Sequence, residues 1–159
     1  FIFFVVGLLL IFAGWVANNV YSSVYSPSLR EMPLNLFSNE MKSPGDWIKE
    51  KDIHVYNDRI IIKVNDPLWG TFTDTNSMDP LLDVGANSLE IRPRNPEDID
   101  VGDIISYKSP YGIIIHRVIE KGIDKDGIYY IAKGDNNAVS DPGKIRFEQI
   151  QGVVVGIIY

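Results

Sequence analysis

A chain of 159 residues has room for one ordinary domain and a short appendage. Its net charge of −6, without any cluster of Lys and Arg, argues against a nucleic-acid partner, which needs a basic face. The 45% apolar, 23% charged composition is globular, and the absence of cysteine suits an extracytoplasmic domain without disulfides as well as a cytosolic one.

The first element in chain order is an uncharged apolar run over residues 1–17, FIFFVVGLLLIFAGWVA. At 1.5 Å rise each, about 17 to 25 such residues span a hydrocarbon core. Because the chain starts on Phe1 inside the run, the expected segment is longer than the part seen. A cleaved leader would need a basic flank and small residues at both positions of an A-x-A-like site; Trp15 before Ala17 and Ile11 before Ala13 do not supply them. The reading is a membrane anchor over residues 1–24, with Trp15, Tyr21 and Tyr25 marking the interface. The first cation after it is Arg30, which favours placing the bulk of the chain outside the cytoplasm, on an extracytoplasmic or lumenal side.

Residues 25–51 carry Pro27, Pro33 and Pro44 among several Ser and Asn, which argues against one long helix. They read as a juxtamembrane connector, with a short helix expected around residues 46–51. From residue 52 to 159 the sequence becomes a succession of short β-rich runs bounded by Gly, Pro, Asn and Asp: RIIIKV (59–64), SLEIRP (88–93), DIISYK (103–108), YGIIIHRVIEK (111–121), GIYYIAKG (127–134) and GVVVGIIY (152–159). Two hairpins follow from the turn chemistry, through Ser109-Pro110-Tyr111-Gly112 and Asp124-Lys125-Asp126-Gly127. The last run is too short to span a bilayer and reads as a final strand. The expected fold is therefore mostly β, a compact catalytic-type β domain behind an N-terminal transmembrane helix.

Within TDTNSMDPLL (73–82), Ser77 is either a turn residue or a nucleophile. A serine hydroxyl needs a neighbouring base to take its proton. The chain holds two histidines, His54 and His116. His116 lies in the strand-like IIIHRV, where it either faces solvent or shares the more buried face with Ile114 and Val118. His54, in KDIHVYND, reads as a solvated or hydrogen-bonded strand residue. Two separate histidines do not make a metal site, and neither a GxGxxG nor a phosphate loop occurs, so no metal or cofactor is expected.

More specific is an ordered set: SMDP (77–80), VGDIISY (101–107), HRV (116–118) and GDNNAVSD (134–141). In order and spacing it resembles the boxes of type I signal peptidases, in the endoplasmic-reticulum and archaeal branch, where histidine replaces the lysine base of most bacterial enzymes. The resemblance covers roughly residues 71–159, and the N-terminal apolar run adds to it; residues 26–60 match nothing in that family. It implies a signal-peptidase-like β fold, Ser77 as nucleophile, His116 as general base, and Asp141, six places after the Asp of GDNN, as the third catalytic residue. It also implies a supporting role for Asp135, and a hydroxyl from Thr75 beside the Ser77 backbone N–H in the oxyanion hole. The body between the boxes is short and lacks the large inserted domain of many bacterial relatives.

The chemistry is consistent with these roles: an imidazole accepts the serine proton and returns it to the leaving amine, while a carboxylate fixes its tautomer. Met78 is expected to pack beside the site and Pro80 to stiffen the exit from it. The backbone of residues 72–76 leading into Ser77 suits pairing with an extended peptide, so Phe72, Thr73, Asp74, Asn76 and Met78 are candidates for substrate binding. Small pockets there would select small side chains at the first and third positions before the cut. Trp69 and Phe72 are expected to line those pockets, touch the bilayer or pack in the core. The expected function is removal of signal peptides from translocated preproteins by a membrane-anchored serine endopeptidase, with preproteins, the lipid bilayer and accessory membrane subunits as partners and no nucleic acid. Two alternatives share the residues: a processing protease devoted to one secreted or surface substrate, and a non-catalytic membrane adaptor with the same fold.

Overall fold

The structure, a computed structural model, describes residues 41–159; the expected anchor over residues 1–24 lies outside them. Among the described residues no helix is long and apolar enough to cross a membrane. The described part is mostly β, as expected. A small hairpin pairs β1 (Ile53–Val55) with β2 (Ile60–Ile62). The rest is a six-stranded antiparallel sheet in the order β3-β4-β8-β5-β6-β7, made by β3 (Pro67–Thr71), β4 (Asn87–Ile91), β5 (Ile104–Ser109), β6 (Gly112–Asp124), β7 (Gly127–Lys133) and β8 (Ile150–Ile158).

The two predicted hairpins form at their expected turns, pairing Ser109 with Gly112 and Asp124 with Gly127. Pro110 presets the first corner, and the glycine closing each turn holds a positive φ, 123° at Gly112 and 100° at Gly127. The final apolar run becomes β8, in the interior of the sheet between β4 and β5. Its residues are buried on both faces: Val153 joins one core with Ile105, Tyr107, Val118 and Tyr130, and Val154 joins a second with Ile104, Met78 and Leu82. Strand alternation sends consecutive residues to opposite faces, so the sheet lies between two apolar clusters.

Two expectations are corrected. The short helix around residues 46–51 is replaced by a single 3-10 turn at Glu50–Asp52. The Pro-Gly-Asp segment is tied down elsewhere: Gly45 N–H donates to the Asp103 carboxylate at 2.7 Å, and Trp47 packs on the first core. Asp103 is fully buried, and its other oxygen accepts the Asp100 N–H at 2.9 Å. Beside it Gly102, at φ 110°, leaves no space for a Cβ against the Ser43 carbonyl. The end of the connector is thus built onto the sheet through the VGD motif. The second correction is β3, which Pro67 and Gly70 kept out of the expected β runs. Proline is tolerated because β3 is an edge strand, paired only with β4. A Cβ on Gly70 would come within 2.7 Å of the buried Glu90 carboxylate.

Tyr130, fully buried, donates its hydroxyl to the Pro96 carbonyl. Burial, reinforced by Glu97, Asp100 and Asp98, pushes its pKa up to about 12. The unfolded phenol ionises near 10, so the folded state keeps a proton that the unfolded state releases. Stability is therefore undiminished below about pH 10 and falls as pH rises toward about 12. Urea denaturation across this range should show that decline, and Tyr130→Phe should flatten it.

Candidate active site

The site is assembled by three segments that approach the middle of β6. The first is the turn carrying Ser77. Asn76 takes the left-handed conformation at φ 55°, which asparagine tolerates better than most residues, and this turns the chain just before the serine. Met78 anchors the turn from the other side, 3% exposed in the second core. The second segment is β6 itself, which presents His116, buried between its neighbours Ile115 and Arg117. The third is the loop after β7, over residues 134–141.

Strand β7 ends at Lys133, opposite Arg117, so β6 loses its partner on that side one residue before His116. The chain turns there and crosses to the Ser77 turn. Asn136 N–H donates to the Ser77 carbonyl at 3.0 Å, its side-chain amide to the Asn76 carbonyl at 2.9 Å, and Asp135 N–H to the Met78 sulfur at 3.4 Å. A Cβ on Gly134 would collide with the Ser77 carbonyl, so only glycine allows this approach. The loop returns to the sheet where Asp141 N–H donates to the Ala132 carbonyl at 2.8 Å.

These constraints bring Ser77, His116 and Asp141 into one line. His116 Nε2 lies 3.1 Å from Ser77 Oγ, and His116 Nδ1 lies 2.6 Å from Asp141 Oδ2. The imidazole and carboxylate side chains are 8% and 13% exposed, which strengthens the bond between them by excluding water. Thr75 Oγ1 is 3.3 Å from Ser77 Oγ, in an exposed contact. A hydroxyl, an imidazole and a carboxylate in this order can move a proton from Ser77 Oγ to His116 while Asp141 holds the N–H of the other ring nitrogen.

Asp135 does not touch His116. It forms a two-point pair with Arg117, accepting from Nε at 2.8 Å and from Nη2 at 2.7 Å, while Nη1 donates to the Gly102 carbonyl at 2.8 Å. This pair clamps the loop after β7 to the strand that carries the imidazole. His54, partly exposed on β1, is far less engaged: its Nε2 has no hydrogen-bond partner among the described residues.

A groove of about 650 Å³ runs up to Ser77, lined by residues 68–73 with Thr75, Ser77 and Met78, and by Ile113, Ile114, Ile115 and His116. Of the candidate substrate-binding residues, Phe72, Thr73 and Met78 line it; Asp74 and Asn76 do not. Trp69 lines it too and is 61% exposed, which rules out the core position considered for it.

One residue of the site was missed in the sequence. Tyr107 donates its hydroxyl to Asp141 Oδ2 at 2.7 Å, the same oxygen that meets His116. Burial, then the hydrogen bond to Asp141, pushes its phenol well above the ordinary range, so it stays a donor. The signal was present in the Ser109-Pro110-Tyr111-Gly112 turn, whose register sets Tyr107 opposite Ile114 and Ile105 opposite His116, on one face.

No family model matches the chain. A stretch of 48 residues, 30% of this chain, is 44% identical to an uncharacterized protein of Methanocaldococcus jannaschii. The chain matches 24% of that relative's length.

Removing one partner of the Arg117–Asp135 pair leaves a buried charge uncompensated. Arg117→Met should cost about 3–5 kcal/mol in urea denaturation. Adding Asp135→Leu should recover much of that loss.

Proposed function

We propose that this protein is a membrane-anchored serine endopeptidase of the signal peptidase type, removing signal peptides from translocated preproteins. The observation that carries this reading is the line of Ser77 Oγ, His116 Nε2 and Nδ1, and Asp141 Oδ2, with separations of 3.1 Å and 2.6 Å. Its residues fall in the motifs that resemble that family. In this mechanism Ser77 Oγ attacks the scissile carbonyl carbon as His116 Nε2 takes the hydroxyl proton. The Ser77 backbone N–H and the Thr75 hydroxyl stabilise the oxyanion. His116 then passes its proton to the departing amine, leaving an acyl ester on Ser77. A water molecule, deprotonated by His116, hydrolyses the ester and restores the serine.

The open geometry of the groove supports an extended peptide as substrate. Residues 112–116 of β6 are paired only with β5, and Phe72, Thr73 and Thr75 line the same groove. A peptide in the groove gains main-chain hydrogen bonds from a free strand edge and places alternate side chains against its walls. Association with a bilayer is supported by the apolar run over residues 1–17 and by the β1–β2 hairpin, which exposes Val55 and Ile60 at 73% and 64%.

The test is cleavage of a model preprotein by the full chain in detergent, with the cut located by mass spectrometry. The wild type should cut after a small-x-small site, and Ser77→Ala or His116→Ala should lower kcat by about 10⁴-fold or more with the fold retained. Full turnover in either variant would sink the assignment.

Protonation of His116 removes the base, so kcat/KM should fall as pH is lowered, along a single-proton limb. Tyr107→Phe removes a donor from Asp141 Oδ2, and the carboxylate should then hold the imidazolium more strongly. That limb should accordingly move to higher pH, and a superimposable profile would remove Tyr107 from the proton relay.

A further inference from the structure

The floor of the groove contains a buried charge that the proposed reaction does not use. Glu90, on β4, is 4% exposed and lines the groove together with Ser106 and Gln151. Its Oε1 accepts the Ser88 hydroxyl at 2.7 Å, and its Oε2 accepts the Ser106 hydroxyl at 2.5 Å. Space for the carboxylate is made by two glycines on flanking strands. A Cβ on Gly70 of β3 would lie 2.7 Å from Oε1, and one on Gly152 of β8 would lie 2.6 Å from Oε2.

Two hydroxyls leave about half of the carboxylate's acceptor capacity unfilled, since each ionised oxygen can take two donors. Among the described residues no cation lies within ion-pair distance of Glu90; the exposed Arg92 lines the same groove without reaching it. A buried carboxylate without a counter-charge is costly, and the cost is relieved when a cation enters the same cavity. A groove that read only small apolar side chains would have no use for an acidic floor.

We infer that Glu90 is a specificity-determining residue: the groove accepts an extended peptide carrying a lysine or arginine side chain, whose cation pairs with the Glu90 carboxylate. The inference rests on the peptidase reading for its substrate class, and on the groove alone for its charge. Ser88 and Ser106 orient the carboxylate, and Gly70 and Gly152 leave the space it occupies.

The test compares preprotein variants with Lys or Leu placed in turn at each of the residues preceding the cut, using the full chain in detergent. At one position Lys should raise kcat/KM by about tenfold over Leu, the scale of one charge-assisted contact, and in Glu90→Gln that ratio should fall to about one. A flat profile in the wild type, or a Lys preference that survives in Glu90→Gln, overturns the inference. If the wild type cuts no variant, the peptidase reading fails by itself. Binding of the same Lys and Leu peptides to Ser77→Ala then tests the groove: Lys-selective binding upholds the acidic site and equal affinity refutes it. Should Glu90→Gln not fold, n-butylammonium and n-butanol serve as probes of the wild type by peptide competition. Selective competition by the ammonium supports Glu90 as the reader, and equal competition overturns it.

Discussion

The two-point pair between Arg117 and Asp135 is the constraint on which the site depends. Arg117 follows His116 on β6, and Asp135 opens the loop that leads to Asp141, so a single buried ion pair joins the strand of the imidazole to the segment that carries its carboxylate partner. The third contact of the guanidinium, to the Gly102 carbonyl, extends the clamp to the loop before β5. A planar guanidinium can make all these bonds at once, which a lysine ammonium cannot. With the loop held, Gly134 and Asn136 reach the backbone of the Ser77 turn. Ser77, His116 and Asp141 come from three segments, and their alignment depends on that fixed loop.

The surroundings of the site divide by polarity. The imidazole shares one face of the sheet with Ile105, Tyr107 and Val118, and exclusion of water strengthens its bond to Asp141. On the other face the groove floor is polar, with Ser88, Glu90 and Ser106 held under two glycines. Placing a carboxylate there costs desolvation that an apolar residue would avoid. The proposed compensation is a cation brought by the substrate, which would convert a local cost into selectivity.

Much of this was legible in the sequence because it depends on local chemistry. Turns through Pro110 and Gly112, and through Asp126 and Gly127, are dictated by φ preferences, and a two-residue loop fixes the register of the strands it joins. Ser77, His116 and Asp141 could be singled out because a motif order carries chemical roles even where distances are unknown. Edge strand β3 was hidden by Pro67 and Gly70, whose tolerance depends on having one neighbour and on the Glu90 side chain that needs the space. Before β1 the expected helix gives way to a single turn at Glu50–Asp52, and the Gly45 N–H is held by Asp103, far away in the chain.

By itself, then, the sequence determined the β character, the hairpin registers, and the identities of the three residues that the site brings together. Their separations, the Tyr107 hydroxyl on Asp141 and the buried Glu90 were decided only by the tertiary structure. Hairpin geometry is set by neighbours along the chain, whereas these contacts join residues from separate strands and loops. Their distances depend on how β4, β5, β6 and β8 pack together and on where the loop after β7 is pinned.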